Sequence, residues 1–329
     1  MSASGILRLA CVLPLPAPYR PAEFLAFHRR DPQGVSERID GDTLHKGLLW
    51  QGRPARLEIR LCTDRAEVAL EVDADAVAGV AGHVPNTAGL TDGLTDGLTS
   101  GHTADLAALS ALARRMLGLD QDVETFERRY RGHPQLGPLI AARPGLRVPQ
   151  AVTPFEALTW AVTGQQISVA VAVALRRRLI LAAGVPHSSG LVCPPDAAGI
   201  AALSDADLRA AGFSTAKTAT LRVLAREVAG GTLPLAHWPC ALPVDELRAR
   251  LLAIRGVGPW TVHYTLLRGL GWLDGSLHGD VAVRGALQAL LDVPERIDEK
   301  RARTWLEPFS PWRALVAAHL WASRTAVAY

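Results

Sequence analysis

The stretch that decides the reading is "IRGVGPWTVHYTLLRGLGWLDGSLHGDVAVRG", Ile254 to Gly285. The apolar residues Leu247, Leu251 and Ile254, then Val262, Leu266 and Leu267, recur at helical spacing on either side of Gly256 and Gly258. Glycines at such a junction let the chain turn tightly and bring its amides close to another group, and Pro259 suits the first turn of the second helix. The N-terminus of that helix opens at the same point, so the hairpin is an anion site built from backbone and fits one phosphate of a nucleic-acid strand. Trp260 and Tyr264 are four apart and share a helix face. Downstream, Asp280 stands alone among small and apolar residues, where it also reads as the N-cap of "VAVRGALQAL".

Working outward, the pattern from Ala104 is helical nearly to the end, with eight to eleven short helices expected from "ADLAALSALARRMLGL" through "DVAVRGALQALL". The first segment differs: "ARLEIRLCTD" and "AEVALEVDAD" alternate as strands do, beside a helical "PAEFLAFHRR". Between them "TAGLTDGLTDGLTSGHTAD" repeats with too little apolar content for a core and too much glycine for a helix. The expected organisation is therefore α+β: residues 1–85 as a small N-terminal domain on an antiparallel β-sheet, 86–103 as a low-complexity linker, and 104–329 as a large all-helical region.

Charge is distributed unevenly. Residues 1–105 hold 10 Lys and Arg against 14 Asp and Glu, a balance of −4, whereas residues 106–329 hold 25 against 18, a balance of +7. A polyanion belongs on the second part. Only Lys46, Lys217 and Lys300 are lysines, a coding bias toward arginine. "LRRRLI", with Arg176 to Arg178, reads as a solvated face. The four cysteines (Cys11, Cys62, Cys193, Cys240) lie singly, without metal-ligand spacing, and read as free thiols, mostly in cores. His263, His278 and His319 also lack ligand spacing and read as structural. The start carries three prolines in a short apolar run, poor material for a signal peptide, and no run of about 18 apolar residues occurs, so the expectation is a soluble cytoplasmic protein with no membrane partner.

Ile254 to Gly285 resembles the helix-hairpin-helix motif and catalytic loop of the DNA glycosylase superfamily. "LGPLIAARPGLRVPQAVTPFEALTWAVTGQQISVAVA" (Leu136–Ala172), "FSTAKTATLRVLAREVAGGTLP" (Phe213–Pro234) and "PWRALVAAHLW" (Pro311–Trp321) are similar to the AlkA-type bacterial 3-methyladenine DNA glycosylases, and "APYRPAEFLAFHRR" (Ala17–Arg30) resembles the start of their β domain more loosely. The resemblance covers most of the chain except the repeat. It implies two helical subdomains with the active site in the cleft between them. It places Asp280 on the catalytic aspartate, Trp260, Tyr264, Trp321 and Phe27 on the aromatic base pocket, and Gly256, Gly258 and Thr261 on the hairpin that holds the DNA backbone. Gln165 and Gln166 fall on the DNA-contacting loop, with Gln166 at the place of the aliphatic wedge that fills the gap left by the flipped base. The sequence departs from the pattern at Gly279, where a second acid is expected, and at Val281, where an aromatic is expected; both open the pocket.

What the resemblance implies is a monofunctional glycosylase that removes alkylated purines such as 3-methyladenine and 7-methylguanine from double-stranded DNA in base excision repair of nucleoid DNA, acting as a monomer. Bifunctional members carry a lysine two residues after the second hairpin glycine, and here that residue is Trp260. No metal is expected on side chains and no iron–sulfur cluster, since the last cysteine is Cys240; a monovalent cation on hairpin carbonyls is the one cofactor the family suggests. The chemistry agrees with these roles. Extruding a base costs a few kcal/mol, less for a damaged one, and electron-rich rings attract a cationic base by about 0.5 to 2 kcal/mol per face. A single carboxylate suffices to stabilise an oxocarbenium-like sugar when the leaving group is already activated. The alternatives are a glycosylase for deaminated or oxidised bases, and a helix-hairpin-helix DNA-binding protein without catalysis.

Overall fold

The computed structural model describes residues 7–73, 94–237 and 242–324. Five strands, β1 (Leu7–Pro14), β2 (Glu37–Asp40), β3 (Thr43–Trp50), β4 (Arg53–Leu61) and β5 (Arg65–Val72), form one antiparallel sheet in the order β1-β5-β4-β3-β2. Helix α1 (Pro21–His28) follows β1. Strands β3 and β4 are joined by the two-residue turn Gln51-Gly52, both at positive φ, which pins Trp50 opposite Arg53. Burial along β5 alternates residue by residue, so Ala66, Val68, Leu70 and Val72 face inward.

Helix α2 spans Leu94–Met116, and this corrects the expected linker. Residues 86–93 of the repeat lie outside the described residues, but from Leu94 onward the tract is helix. Extending an existing helix adds one hydrogen bond per residue fixed, whereas starting one is costly, so the strongly helical "ADLAALSALARRM" carries its glycine-bearing preface along. The same helix moves the expected boundary at 104. Its Leu109, Leu112, Ala113 and Met116 pack on Leu57, Ile59 and Leu70 in one core, so α2 belongs with the sheet.

The remaining helices are α3 (Val123–Tyr130), α4 (Leu136–Ala142), α5 (Pro154–Gly164), α6 (Val169–Ala183), α7 (Ala197–Ala202), α8 (Asp205–Ala210) and α9 (Thr215–Ala229). They continue with α10 (Val244–Leu252), α11 (Pro259–Leu270), α12 (Val281–Leu290), α13 (Glu299–Leu306) and α14 (Arg313–Ser323). Among the described residues, α2 to α14 make thirteen helices, more than the eight to eleven expected; α7 and α8 are six residues each, too short to show a period. A two-stranded sheet, β6 (Val185–Pro186) with β7 (Val192–Cys193), has no strong sequence signal and tucks against β3. Side chains of Thr153, Ser168, Ser214 and Asp298 cap their helices, each contributing about 1 kcal/mol.

The helices bury two further cores. One gathers α3, α4, α12, α13 and α14, and the other α5, α6, α7, α8, α9 and α10. Helix α11 belongs to both, giving Tyr264 and Leu267 to the first and Val262 and Leu266 to the second. It packs so closely on α5 that a Cβ at Gly269 would lie 2.8 Å from the Pro154 Cα. The helix after the glycine hairpin is thus the spine between two packed halves, and it is buried nearly all round although it carries Thr261, His263, Thr265 and Arg268.

Three smaller expectations change. Arg176 is half-buried in an ion cluster, Arg177 is half-buried and pairs with Asp31 at 2.8 Å, and the exposed Arg178 donates to the Ala211 carbonyl at 2.6 Å, so two of the three arginines of "LRRRLI" are fastenings and only Arg178 keeps a solvated face. Cys193 is buried, Cys11 and Cys62 are half-buried and all three are free thiols; Cys240 lies outside the described residues. No described helix is long and apolar enough to cross a membrane.

Candidate active site

A cleft of about 1010 Å³ opens where the two helical cores meet along α11. Its walls carry Asp280, Trp260, Tyr264, Trp321 and Thr261, together with Gly256, Gly258, Gln165 and Gln166. Residues scattered over more than 150 positions of sequence therefore meet in one place, at the upper end of the size of ordinary ligand pockets.

Asp280 is held from four directions. As N-cap of α12 its Oδ1 accepts the N–H groups of Ala282 at 2.8 Å and Val283 at 3.0 Å. The same oxygen accepts the Trp321 indole N–H at 3.3 Å, and Oδ2 accepts that of Trp260 at 2.8 Å. Capping and a second use thus coincide in this residue. Every partner is a neutral donor, and among the described residues no cation lies within ion-pair distance of it. Since each carboxylate oxygen offers about two acceptor positions, Oδ2 is the oxygen with room for a further partner.

The two indoles are also the walls. The rings of Trp260 and Tyr264 are 5.3 Å apart at 34°, and those of Tyr264 and Trp321 are 6.4 Å apart at 56°. Behind Trp321 the buried Arg268 guanidinium stands 5.6 Å from the ring centre and donates to the Pro149 carbonyl; burial lowers its pKa to about 10, still charged at neutral pH. Phe27 lines a smaller cavity that adjoins the cleft and shares Trp160 and Tyr264 with it, and the guanidinium groups of Arg30 and Arg268 stand 4.4 and 4.5 Å from its ring centre.

At the hairpin, Gly256 has φ +91°, and a Cβ there would lie 2.1 Å from the Thr220 Oγ1. Only glycine fits both demands. Pro259 opens α11, and the first-turn N–H groups, which no helix bonds internally, are left at the hairpin. The side chain of Gln165 is spent on this hairpin: its Nε2 donates to the Gly256 carbonyl at 2.9 Å and to the Thr261 Oγ1 at 2.8 Å. Gln166 beside it is exposed, with φ +57°. The opening expected at Gly279 and Val281 is there: Val281 is 75% exposed, and a Cβ on Gly279 would meet Glu299 and Trp260 only at ordinary distances of 3.8 and 3.9 Å.

Sequence reasoning did not single out several residues of this cleft, Trp160, Lys217, Thr220 and Glu299 among them. Trp160 stands on α5, which ends just before the glutamines, and could have been found as an aromatic near that loop; Lys217 and Glu299 had no local signal. Among the described residues no group of three or more His, Cys, Asp or Glu could hold a metal ion. Of the hairpin carbonyls, those of Ile254, Arg255 and Gly256 already accept hydrogen bonds from Val257 N–H, Thr220 and Gln165.

The model of the AlkA N-terminal domain matches residues 10–153. DNA-3-methyladenine glycosylase 2 of Escherichia coli is 32% identical over 190 residues, 56% of this chain and 63% of that protein. The probable bifunctional transcriptional activator/DNA repair enzyme AlkA of Mycobacterium tuberculosis is 31% identical over 219 residues, 66% of this chain; the chain spans only 43% of that relative's length. In structure, the 3-methyladenine DNA glycosylase of Archaeoglobus fulgidus superposes with a TM-score of 0.73 over 94% of this chain and 97% of its own, at 19% identity, a likeness of fold. The Schizosaccharomyces pombe 3-methyladenine DNA glycosylase, solved in complex with abasic DNA, is 25% identical with a TM-score of 0.54 over 62% of this chain and 98% of its own. The chain thus matches the AlkA N-terminal domain over residues 10–153, is similar in sequence to DNA-3-methyladenine glycosylases of the AlkA type, and shares the fold of a 3-methyladenine DNA glycosylase.

Proposed function

We propose that this protein is a monofunctional DNA glycosylase that extrudes alkylated purines from duplex DNA and hydrolyses their N-glycosidic bond, leaving an abasic site for base excision repair. The observation that carries this reading is the Asp280 carboxylate, fixed by two indole N–H groups and two backbone amides and facing a cleft walled by the same two indoles. The hairpin at Gly256 and Gly258 takes the strand's phosphate on the first turn of α11, and the exposed Gln166 enters the base stack in place of the flipped nucleotide. Trp260, Tyr264 and Trp321 receive the base, and a positive N-alkylated purine gains by facing their rings.

As the bond to the base lengthens, the sugar takes on oxocarbenium character. Asp280 stabilises that charge through its unpaired negative charge and uses the free position on Oδ2 to orient or deprotonate the attacking water. The electron pair leaves with the base, which is neutral on departure if it carried an alkyl charge, so no general acid is needed. The cleft lysine, Lys217, holds its ammonium on the carbonyls of Thr163 and Gln165 at 2.8 Å each, and the place of the nucleophilic lysine of bifunctional members is taken by Trp260. We take the protein to act as a monomer in the cytoplasm.

Chromatography of the bases released from methylated DNA tests the reading: free 3-methyladenine and 7-methylguanine are the expected products, with no covalent adduct trapped by borohydride. Release of only deaminated or oxidised bases would select the first alternative, binding without release the second, and a trapped adduct would overturn the monofunctional chemistry.

A further inference from the structure

Helix α9 reaches across the cleft wall to two separate stretches of backbone. Lys217 in its first turn donates to the carbonyls of Thr163 and Gln165, both at 2.8 Å, where α5 ends and the glutamine loop begins. One turn on, Thr220 Oγ1 donates to the Arg255 carbonyl at 3.1 Å, in the hairpin. From the loop side, Gln165 Nε2 closes the figure on Gly256 and Thr261. Five hydrogen bonds from three side chains therefore tie loop and hairpin into one body. Between the ties stands Gln166, exposed and at φ +57°, a backbone state that non-glycine residues hold only when the surroundings fix it.

The residue types suit the task. In a chain that otherwise uses arginine, a compact ammonium with three donors can cap two converging carbonyls, whereas a planar guanidinium fork is shaped for carboxylates. An amide donor at Gln165 reaches a carbonyl and a hydroxyl that a carboxylate could not both satisfy.

We propose that Lys217 and Gln165 are positioning residues that couple grip to insertion: they hold the Gln166 finger at a fixed offset from the phosphate-binding hairpin, so that docking the strand drives the finger into the stack. The inference rests on the glycosylase reading above and concerns base extrusion, not bond cleavage. A lesion that is already unpaired needs little extrusion, so the strut matters less for it.

Single-turnover excision of one lesion, paired in a duplex and unpaired in a single strand, is compared for Lys217→Met, Gln165→Glu and Lys217→Arg. Lys217→Met and Gln165→Glu should lose about tenfold to hundredfold on the paired lesion, as expected for removing two charge-assisted hydrogen bonds in the first and setting a carboxylate against the Gly256 carbonyl in the second. The loss on the unpaired lesion should be at least about tenfold smaller, and Lys217→Arg should recover part of the difference. Equal losses on both substrates, or no loss on either, would overturn the strut. If Lys217→Met does not fold, the near-isosteric Gln165→Glu decides alone. A wild-type protein that releases no base would overturn the glycosylase reading instead. In that event the fluorescence of 2-aminopurine beside an abasic-site analogue still reports finger insertion, and an equal rise in wild type and variants would overturn the strut by itself.

Discussion

The carboxylates under the sheet and the carboxylate in the cleft are held in opposite ways. Under the sheet, Glu37 and Glu156 share Lys46 and Arg176: Lys46 bonds both acids, with Glu156 at 2.9 Å, and Arg176 bonds Glu156 at 2.8 Å and Glu37 at 3.3 Å. Lys46 is only 1% exposed. Burial alone would raise the Glu37 carboxyl, but Arg176 and Lys46 outweigh it and hold it well below the usual carboxylate range. In the cleft, Asp280 meets four N–H donors and no cation. Two acids against two bases cancel, and the result is a fastening between β2, β3, α5 and α6. A carboxylate ordered by neutral donors keeps its charge uncancelled, and an uncancelled charge is what a developing sugar cation can use.

The sharpest way to break this contrast is Asp280→Asn. Asparagine still caps α12, so folding should be kept, while excision should fall by about 10³-fold or more because the charge facing the sugar is gone. Single-turnover kinetics beside binding to an abasic-site duplex measure it; full activity would remove Asp280 from the chemistry.

The mirror experiment is Lys46→Met. It leaves two buried acids on one cation and should cost about 3 to 5 kcal/mol in denaturant unfolding, with the chemical step in the surviving native protein nearly unchanged. The double change Lys46→Met with Glu37→Met leaves the Arg176–Glu156 pair intact and should recover most of that loss. If the double variant is as unstable as the single one, packing and not charge balance holds the cluster.

Trp260 separates wall from tether. Trp260→Phe keeps an aromatic face and deletes the N–H to Asp280, whereas Trp260→Leu deletes both. We expect about a tenfold loss on charged and neutral substrates alike for the first, from one charge-assisted hydrogen bond. For the second we expect a further loss of about two- to thirtyfold confined to cationic bases such as 7-methylguanine. Equal rates for the two variants on a charged base would mean that the ring face contributes only shape.

The smallest effect concerns a buried group with no charge at neutral pH. His319 stacks on Phe126 with ring centres 5.5 Å apart, and burial lowers its pKa to about 4. Between its unfolded value of about 6.5 and that value the unfolded chain binds the extra proton. Stability is therefore full above about pH 6.5 and falls as pH drops toward 4, by about 1.4 kcal/mol per pH unit for this group. His263, lowered by burial to about 4 as well, adds in the same direction. His319→Phe should flatten the acid limb of a denaturant series run from pH 8 to 4.5, and an unchanged limb would show that His319 does not titrate with unfolding.

Much of this was legible in the residues themselves. The glycine hairpin, Pro259 at the start of α11, the alternation in β4 and β5 and the N-cap at Asp280 are local features, set by backbone sterics and by spacings of two or four residues, and a linear reading reaches them. Trp260 and Tyr264 share a helix face for the same reason. The rest depended on partners far away in sequence. That α2 belongs to the sheet was decided by where Leu109, Leu112 and Met116 find apolar area to bury, not by the composition of the repeat before them. That Arg176 is a half-buried fastening was decided by Glu37, more than a hundred positions upstream. That Phe27 has the guanidinium groups of Arg30 and Arg268 beside its ring, and that the Gln165 amide bonds the Gly256 carbonyl and Thr261, were likewise decided by residues distant in sequence. Sequence determines what each residue is able to donate, accept or bury; which of those capacities is used is a competition among neighbours, and only the folded chain says who the neighbours are.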